Sequence, residues 1–560
     1  MSQAVATQHD EFRVIGPPGT GKTTWLARQA QRAIEAHCQR TGERPDECQA
    51  VLISSLTRGA ARELRSRGIR LHPDQIATLH AHAYRALGKP KLCVDAKQIA
   101  EWNESCPPHL RLKTNCMSRD TEQDADAEAD RQRGVLTADD LLQRYFIERS
   151  RLSNRDGWPI RLSGFADTWE SWKRSSGYMD FSDVIHAAYD QRTTPPGNPS
   201  IIFVDEAQDH DRAELRLVRW WASQCEKVII VGDPDQNLYQ FRGSDPEAFY
   251  DHEIPEENTR VLSQSYRVPR AVHSRAVRMI QRCRGRRPVE YQPRDHEGLV
   301  VNSELSLGKK WSGDMADKLG KIAASGKSVM VLSSCEYHLR PLASVLRDLG
   351  VPFWNPFDQN RNSFSPLHPK QGCGLLERIK AFTRSQDEFY GEDARIWTGS
   401  EMAQWSEPLR AEGWLKRGAK QEIDSLSIRY RDEVLPLEVI EELLLPEFGI
   451  EQLAECGVEW YCGKVVAAKY QLARYCLAIY RRCGAAGLMN DPRVILGTIH
   501  SVKGGEADVV FLSPDLSMAG VEALDQNPDS VYRLMYVGMT RAREELHLMQ
   551  PSRGNMSVEW

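Results

Sequence analysis

Short apolar runs recur along this chain, and several end in glycine, acidic or hydroxyl residues before a stretch of helical periodicity. Ile201 to Val204 (IIFV) ends in Asp205-Glu206, and Lys227 to Val231 (KVIIV) ends in Gly232-Asp233. Both read as buried parallel strands with functional groups at their carboxyl ends, where open α/β sheets place ligands. Together with Val14-Ile15 and Val51 to Ser54 (VLIS), they predict a doubly wound α/β sheet interleaved with helices such as Arg58 to Arg67.

A second set of strand-like runs begins at Gly298 to Asn302 and Ser328 to Leu332. It resumes far downstream at Val494 to Thr498, Val509 to Leu512 and Glu545 to Met549. The pattern predicts a first α/β domain at 1–86 and 196–255 and a second at 256–371 and 491–560. Mainly helical insertions at 87–195 and 372–490 interrupt them. Arg119 to Gly134 is so poor in apolar residues that it reads as an exposed, mobile part of the first insertion. No internal repeat of fixed period is present.

Composition narrows the class. A chain of 560 residues is too long for one ordinary core and suggests roughly three to four units of 100–200 residues. Hydrophobic residues at 41%, charged residues at 27% and a mean hydropathy of -0.53 describe a soluble globular protein. No apolar run is long enough to span a bilayer, and MSQAVATQHDEF lacks the layout of an export signal, so a cytoplasmic location without membrane partners is expected. The 13 cysteines form no C-x-x-C pair, and Cys456 and Cys462 are too far apart for a good metal signature. Reduced thiols fit better than disulfides or zinc. With a net charge of -5, any nucleic-acid binding has to come from a local basic surface.

The segment Arg13 to Thr24 (RVIGPPGTGKTT) carries the clearest chemistry: strand, glycine-rich turn, Lys-Thr, helix. Gly16, Pro17, Pro18, Gly19, Thr20, Gly21, Lys22, Thr23 and Thr24 form a phosphate cradle. In it, backbone N–H groups face an anion, Lys22 reaches the terminal phosphates and the Thr23 hydroxyl ligates magnesium. Asp205 at its strand end is placed to hold Mg2+ through water, and Glu206 to orient and deprotonate the attacking water. A nucleotide and Mg2+ are what these residues call for. Tyr239 and Phe241, two apart in NLYQFRG, would point the same way if that stretch is extended, with Arg242 alongside as a stacking partner for bases. Arg270, Arg275, Arg278 and Arg282 fall near helical spacing and run into RCRGRR; they either extend a nucleic-acid track or form a solvated helix face.

The order of motifs resembles the UvrD/PcrA/Rep group of superfamily-one helicases. The phosphate loop is followed by SSLTRGAARELRSR (motif Ia), TLHAHAY (Ib), VDEAQD (II), VGDPDQNLYQFRG (III), LSQSYRVP (IV), GTIHSVKGGEADVVFL (V) and YVGMTRAREEL (VI). The resemblance implies two RecA-like domains, each carrying a helical insertion, and ATP hydrolysis coupled to movement on DNA, 3′ to 5′. It implies that Gln236 senses the terminal phosphate, that Tyr266 stacks on adenine and that Glu506 lies near the ribose. Arg267 and Arg541, both expected from the second domain, would supply the charge that phosphoryl transfer needs, so that turnover depends on domain closure. Thr57, Thr78, His80, His500 and Lys503 match positions that touch DNA in relatives, and an aromatic near Phe241 matches the base-stacking position.

The chain also departs from that pattern. Gln3 and Gln8 lie closer to the phosphate loop than the family's adenine-recognition glutamine, Leu56 stands where relatives often have an aromatic, and motif V reads KGGEAD rather than the KGLEF type. The second insertion is short, and the tail after Leu546 leaves no room for a fused nuclease. These features set single-strand translocation ahead of strong duplex unwinding. They also motivate an alternative: a DNA-sensing regulatory ATPase subunit serving a separately encoded nuclease or another repair or phage-defence protein. Single-stranded or tailed duplex DNA is the expected partner, and the chain a monomer or weak oligomer.

Overall fold

The computed structural model describes residues 10–113, 116, 136–357, 364–368, 372–552, 554 and 556–560. The segment expected to be mobile at 119–134, together with Gln3 and Gln8, lies outside them.

The first sheet has the order β3-β2-β4-β5-β1-β6. Its strands are β1 (Asp10–Ile15), β2 (Val51–Ser55), β3 (Ile76–Thr78), β4 (Ile201–Val204), β5 (Lys227–Gly232) and β6 (Thr259–Val261). All its pairings are parallel. β2 is buried along its whole length and the inner halves of β1 and β5 are buried too, as a sheet covered on both faces requires. α1 (Lys22–Thr41), α2 (Arg58–Ser66) and α3 (Leu79–Ala86) follow the first three strands. Thr57 and Thr78 cap α2 and α3, their hydroxyls accepting from the N–H groups of Ala60 and Ala81.

The first insertion is helical, as expected, with α4 (Ala96–Ser105), α5 (Ala138–Ser150), α6 (Ile160–Ser176) and α7 (Phe181–Asp190). Trp102, Phe165 and Trp169 fill its core with edge-on and stacked rings. Buried Lys173 on α6 reaches both Asp180 and Asp183 at the start of α7 and tethers the two helices.

α8 (Arg212–Ala222) and β5 complete the sheet, and a parallel ribbon of β7 (Gln264–Pro269) and β8 (Gln292–Arg294) brackets α9 (Arg270–Ile280). The first compact unit comprises residues 10–300 and 516–544 of the described chain, with Trp560. This division differs from the boundary expected at 255/256. β6 hydrogen-bonds into the first sheet beside β1, and α9 packs against α13 (Pro528–Met539), so both stretches group with the phosphate loop.

The second unit comprises 301–515 and 545–559. Its sheet has the order β11-β12-β10-β13-β14-β9, with β9 (Leu299–Asn302), β10 (Val329–Ser333), β11 (Phe353–Trp354), β12 (Val494–Thr498), β13 (Ala507–Leu512) and β14 (Ala542–Leu548). Every expected strand run is present in it. Helices between Leu375 and Met489 pack around Phe382, Trp397, Trp405, Trp414 and Trp460.

Candidate functional site

The cradle is built where β1 stops. Gly16 N–H donates to the carbonyl of Gly232 at the end of β5 (3.0 Å), and Thr20 closes the turn with its hydroxyl on the Pro17 carbonyl (2.8 Å). Gly19 and Gly21 have φ of +75° and +80°, conformations that cost a side-chain-bearing residue free energy. Gly19 is also crowded: a Cβ there would come within 2.5 Å of Arg267 Cβ. Lys22 opens α1, is buried, and donates its amine to the Gly16 carbonyl at 2.6 Å.

Acidic groups converge on the same crevice. Asp205 is anchored by its N–H to the Ser54 carbonyl (2.9 Å) and accepts from Glu206 N–H (3.1 Å). Burial and the neighbouring Glu206 carboxylate push Asp205 up to about 7, although Lys22 pulls the other way. A buried carboxylate with so little positive charge around it has the hard-oxygen chemistry that suits a magnesium ion. Glu206 adopts φ of 52°, a strained value for a side-chain-bearing residue. Gln208 bonds Glu206 (2.5 Å) and Asp209 (3.2 Å) through its amide nitrogen, while its oxygen accepts from Asp233 N–H (2.9 Å).

Gln236 donates to Asp233 at 2.7 Å, and its oxygen lies 3.5 Å from Nη2 of Arg541. Asp233 is pushed up to about 6 by burial and by Asp235, partly offset by Lys22. Arg541 is 1% exposed, and its Nε donates to Val537 in the last turn of α13. Above the loop, Tyr266 N–H donates to Gly19 (2.8 Å), while Ser265 and Tyr291 hydroxyls both donate to Pro18 (2.9 and 3.0 Å). Tyr266 itself is 72% exposed, an open aromatic face beside the cradle.

Lys22, Asp205, Glu206, Gln236, Arg267 and Arg541 thus all lie in one compact unit. The two arginines, expected from the far domain, are grouped with the phosphate loop through the contacts of β7 and α13. Glu506, His500 and Lys503 lie in the second unit, in a turn after β12 that Thr498 secures by accepting from Ser501 N–H.

Two threonines and two aromatics expected at nucleic acid have structural settings. Thr57 and Thr78 spend their hydroxyls as helix caps. Tyr239 and Phe241 are not on an extended stretch, because Gln240–Arg242 forms a 3-10 turn, yet their ring centroids still lie 6.2 Å apart. Arg242 sits 5.2 and 5.3 Å from the two rings, and Phe241 remains 48% exposed. Gly243 at φ of +94° ends this turn against Ser150 of α5, where there is no room for a Cβ. His80 is paired with Glu214 at 3.2 Å.

Sequence reasoning missed Arg286. Its guanidinium grips Asp235 with Nε at 3.0 and 3.3 Å and Nη2 at 2.6 Å, a fork that holds the loop carrying Gln236. The RCRGRR run flagged the basic segment, but a charge run does not say which member turns inward. Ser265 and Tyr291 were missed for the same reason: their roles depend on which backbone groups they meet; Asp233 was legible as a strand-end group, but its bond to Gln236 was not.

Residues 1–254 match the family described as UvrD/REP helicase N-terminal domain, and 494–549 match the UvrD-like helicase C-terminal domain. The two matched stretches are thus a UvrD/Rep-type N-terminal domain and a UvrD-like C-terminal domain. Among relatives, the ATP-dependent DNA helicase PcrA of Bacillus subtilis is 28% identical over 403 residues, covering 62% of this chain and 54% of PcrA. PcrA of Staphylococcus aureus is 24% identical over 301 residues, covering 51% of this chain and 40% of its own length. The putative ATP-dependent DNA helicase YjcD of Bacillus subtilis is 24% identical over 307 residues, covering 51% and 38%. The chain therefore spans about half the length or less of the curated relatives it matches. Among the described residues, no helix is long and apolar enough to cross a membrane.

Proposed function

We propose that this chain is an ATP-dependent motor on single-stranded DNA, moving 3′ to 5′ and hydrolysing ATP in the crevice around Lys22. The observation that carries the reading is the convergence of Lys22, Asp205, Glu206, Gln236 and Arg541 on one crevice, in a chain with UvrD-type N- and C-terminal domains. The two sheets are read as its RecA-like lobes. Backbone N–H groups of the cradle and the Lys22 amine hold the triphosphate, and release of Lys22 from the Gly16 carbonyl accompanies binding. Thr23 and Asp205 would hold magnesium, which neutralises phosphate charge. Glu206 orients a water and takes its proton, its carboxylate held by Gln208. Arg541 and Arg267 stabilise charge on the transferred phosphoryl group. Gln236 contacts both Asp233 and Arg541, so its position answers to the state of the nucleotide.

Phe241, Tyr239 and Arg242 supply the stacking platform for bases; they follow Gln236 by three to six positions in the same stretch of chain. His80 and the helix starts at Thr57 and Thr78 supply backbone N–H groups and charge for phosphates, as do His500 and Lys503 from the second unit. A steady-state ATPase assay with and without oligo(dT) tests the reading. Strong stimulation by the oligonucleotide, lost in Lys22→Ala and Glu206→Gln, is expected. Hydrolysis indifferent to DNA would sink it.

A further inference from the structure

Glu214 lies on the first turn of α8, buried to 5% exposure, and its carboxylate joins two histidines from different parts of the chain. Oε1 pairs with Nδ1 of His80 on α3 at 3.2 Å, and Oε2 with Nδ1 of His210 at 3.0 Å. Oε2 also accepts from Asp211 N–H at 3.1 Å, while Asp211 returns the bond by accepting from Glu214 N–H at 2.7 Å, a closed capping box. Burial by itself would raise this carboxyl; His210 and His80 hold it well below the usual carboxylate range. The carboxylate is therefore a shared acceptor that fixes both imidazole rings.

His210 is buried, and its Nε2 has no hydrogen-bonding partner, so its ring is held through Nδ1 on Glu214. His80 lies nearer solvent, with the edge of Phe181 against its ring at 6.0 Å. The carboxylate thus joins the start of α3, beside Thr78, to the residue that precedes the capping box of α8.

The other end of the bridge leads to the nucleotide. His210 directly follows the Asp205–Asp209 segment, a stretch with little freedom to move alone. Gln208 ties it to Glu206 and to Asp233, and Asp209 accepts from Leu238 N–H at 3.2 Å. A displacement of Glu206 or Gln208 is transmitted through His210 to Glu214, and from there to His80.

We propose that Glu214 is a positioning residue that couples nucleic-acid contact at His80 to the nucleotide state of the Asp205–Asp209 segment. The proposal rests on the reading of the chain as a DNA-dependent ATPase, and it names one physical route by which one site biases the other.

The test measures the affinity of the full chain for fluorescent oligo(dT), with and without a non-hydrolysable ATP analogue, in wild type, Glu214→Gln and His210→Gln. The glutamine at 214 keeps an acceptor for Asp211 N–H and nearly the same volume, but removes the charge. In wild type the analogue is expected to change oligonucleotide affinity by at least about fivefold, the lower range of allosteric coupling. In Glu214→Gln that ratio should fall towards one, while the affinity for the analogue without DNA stays within about twofold. His210→Gln should show the same loss and carries the test if Glu214→Gln does not fold. A ratio unchanged in both folded variants overturns the relay alone. A wild-type protein whose oligonucleotide affinity ignores the analogue overturns the relay, and one that binds no oligonucleotide overturns the motor reading with it.

Discussion

Gly19 shows how little tolerance the crevice has at single positions. Its φ of +75° and the approach of Arg267 Cβ to 2.5 Å from any added Cβ impose two separate penalties on Gly19→Ala. That variant is expected to lose nucleotide affinity at least tenfold, about 1.4 kcal/mol, in equilibrium titration with a fluorescent ATP analogue. Asp205 yields a pH-dependent prediction. Its folded value of about 7 lies above its ordinary 3.8, so the folded chain holds a proton that the unfolded chain has released between those values. Stability from this group is full below about pH 4, declines as pH rises, and levels off above about 7. Without nucleotide or magnesium, Asp205→Asn should raise the thermal midpoint at pH 7.5, by an amount on the order of a few kcal/mol in stability, and the advantage should vanish near pH 4. A midpoint difference that does not depend on pH would count against the buried, charge-poor setting.

At the scale of elements, α6 and α7 depend on one buried cation. Lys173 Nζ lies 2.5 Å from Asp180 and also reaches Asp183, with Trp169 Nε1 completing the set on Asp180. Burial would raise Asp180; Lys173 and Arg149 instead lower it to about 2. Lys173→Met leaves two buried carboxylates facing each other and should cost about 3–5 kcal/mol in denaturant unfolding of the first unit. Replacing Lys173 and Asp180 together by apolar residues should cost less, because Asp183 keeps Arg149 as its partner at 3.1 Å. The helix starts carry a related prediction. Thr78→Ala removes the acceptor for Ala81 N–H and should lose about 1 kcal/mol, whereas Thr78→Ser should retain the cap and oligonucleotide binding. The 3-10 turn at Gln240–Arg242 belongs here too. A period-two reading of NLYQFRG brought Tyr239 and Phe241 to one side, and they do meet, but through a turn ended by Gly243 against α5. Nothing in the local string announces that α5 stands there.

For the whole molecule, the net charge of -5 means that the proposed affinity for DNA has to come from local groups and not from a general field. Lys503→Ala should lower the slope of log affinity against log salt by about one, and Phe241→Ala should weaken binding with the slope unchanged. A strand-displacement assay on 3′-tailed, 5′-tailed and blunt duplexes with ATP measures direction. Displacement from the 3′-tailed substrate alone is expected, and preference for the 5′ tail would reverse the proposed polarity.

Strands and their ligand-bearing ends were legible because the information is local. An apolar run followed by Gly16 or Asp205-Glu206 needs no distant partner to be read, and the phosphate cradle is a property of its own short stretch. The helical nature of both insertions and the two sheets follow from the same periodicities. What the chain order does not encode is which surfaces meet. The grouping of β6, β7 and α13 with the phosphate loop, the fork of Arg286 on Asp235, and the bridge from His80 to Glu214 join residues at least 51 positions apart. Side-chain direction and burial decide such pairs. They are set when helices and sheets pack, since only then does removing a carboxylate or guanidinium from water make a particular partner necessary.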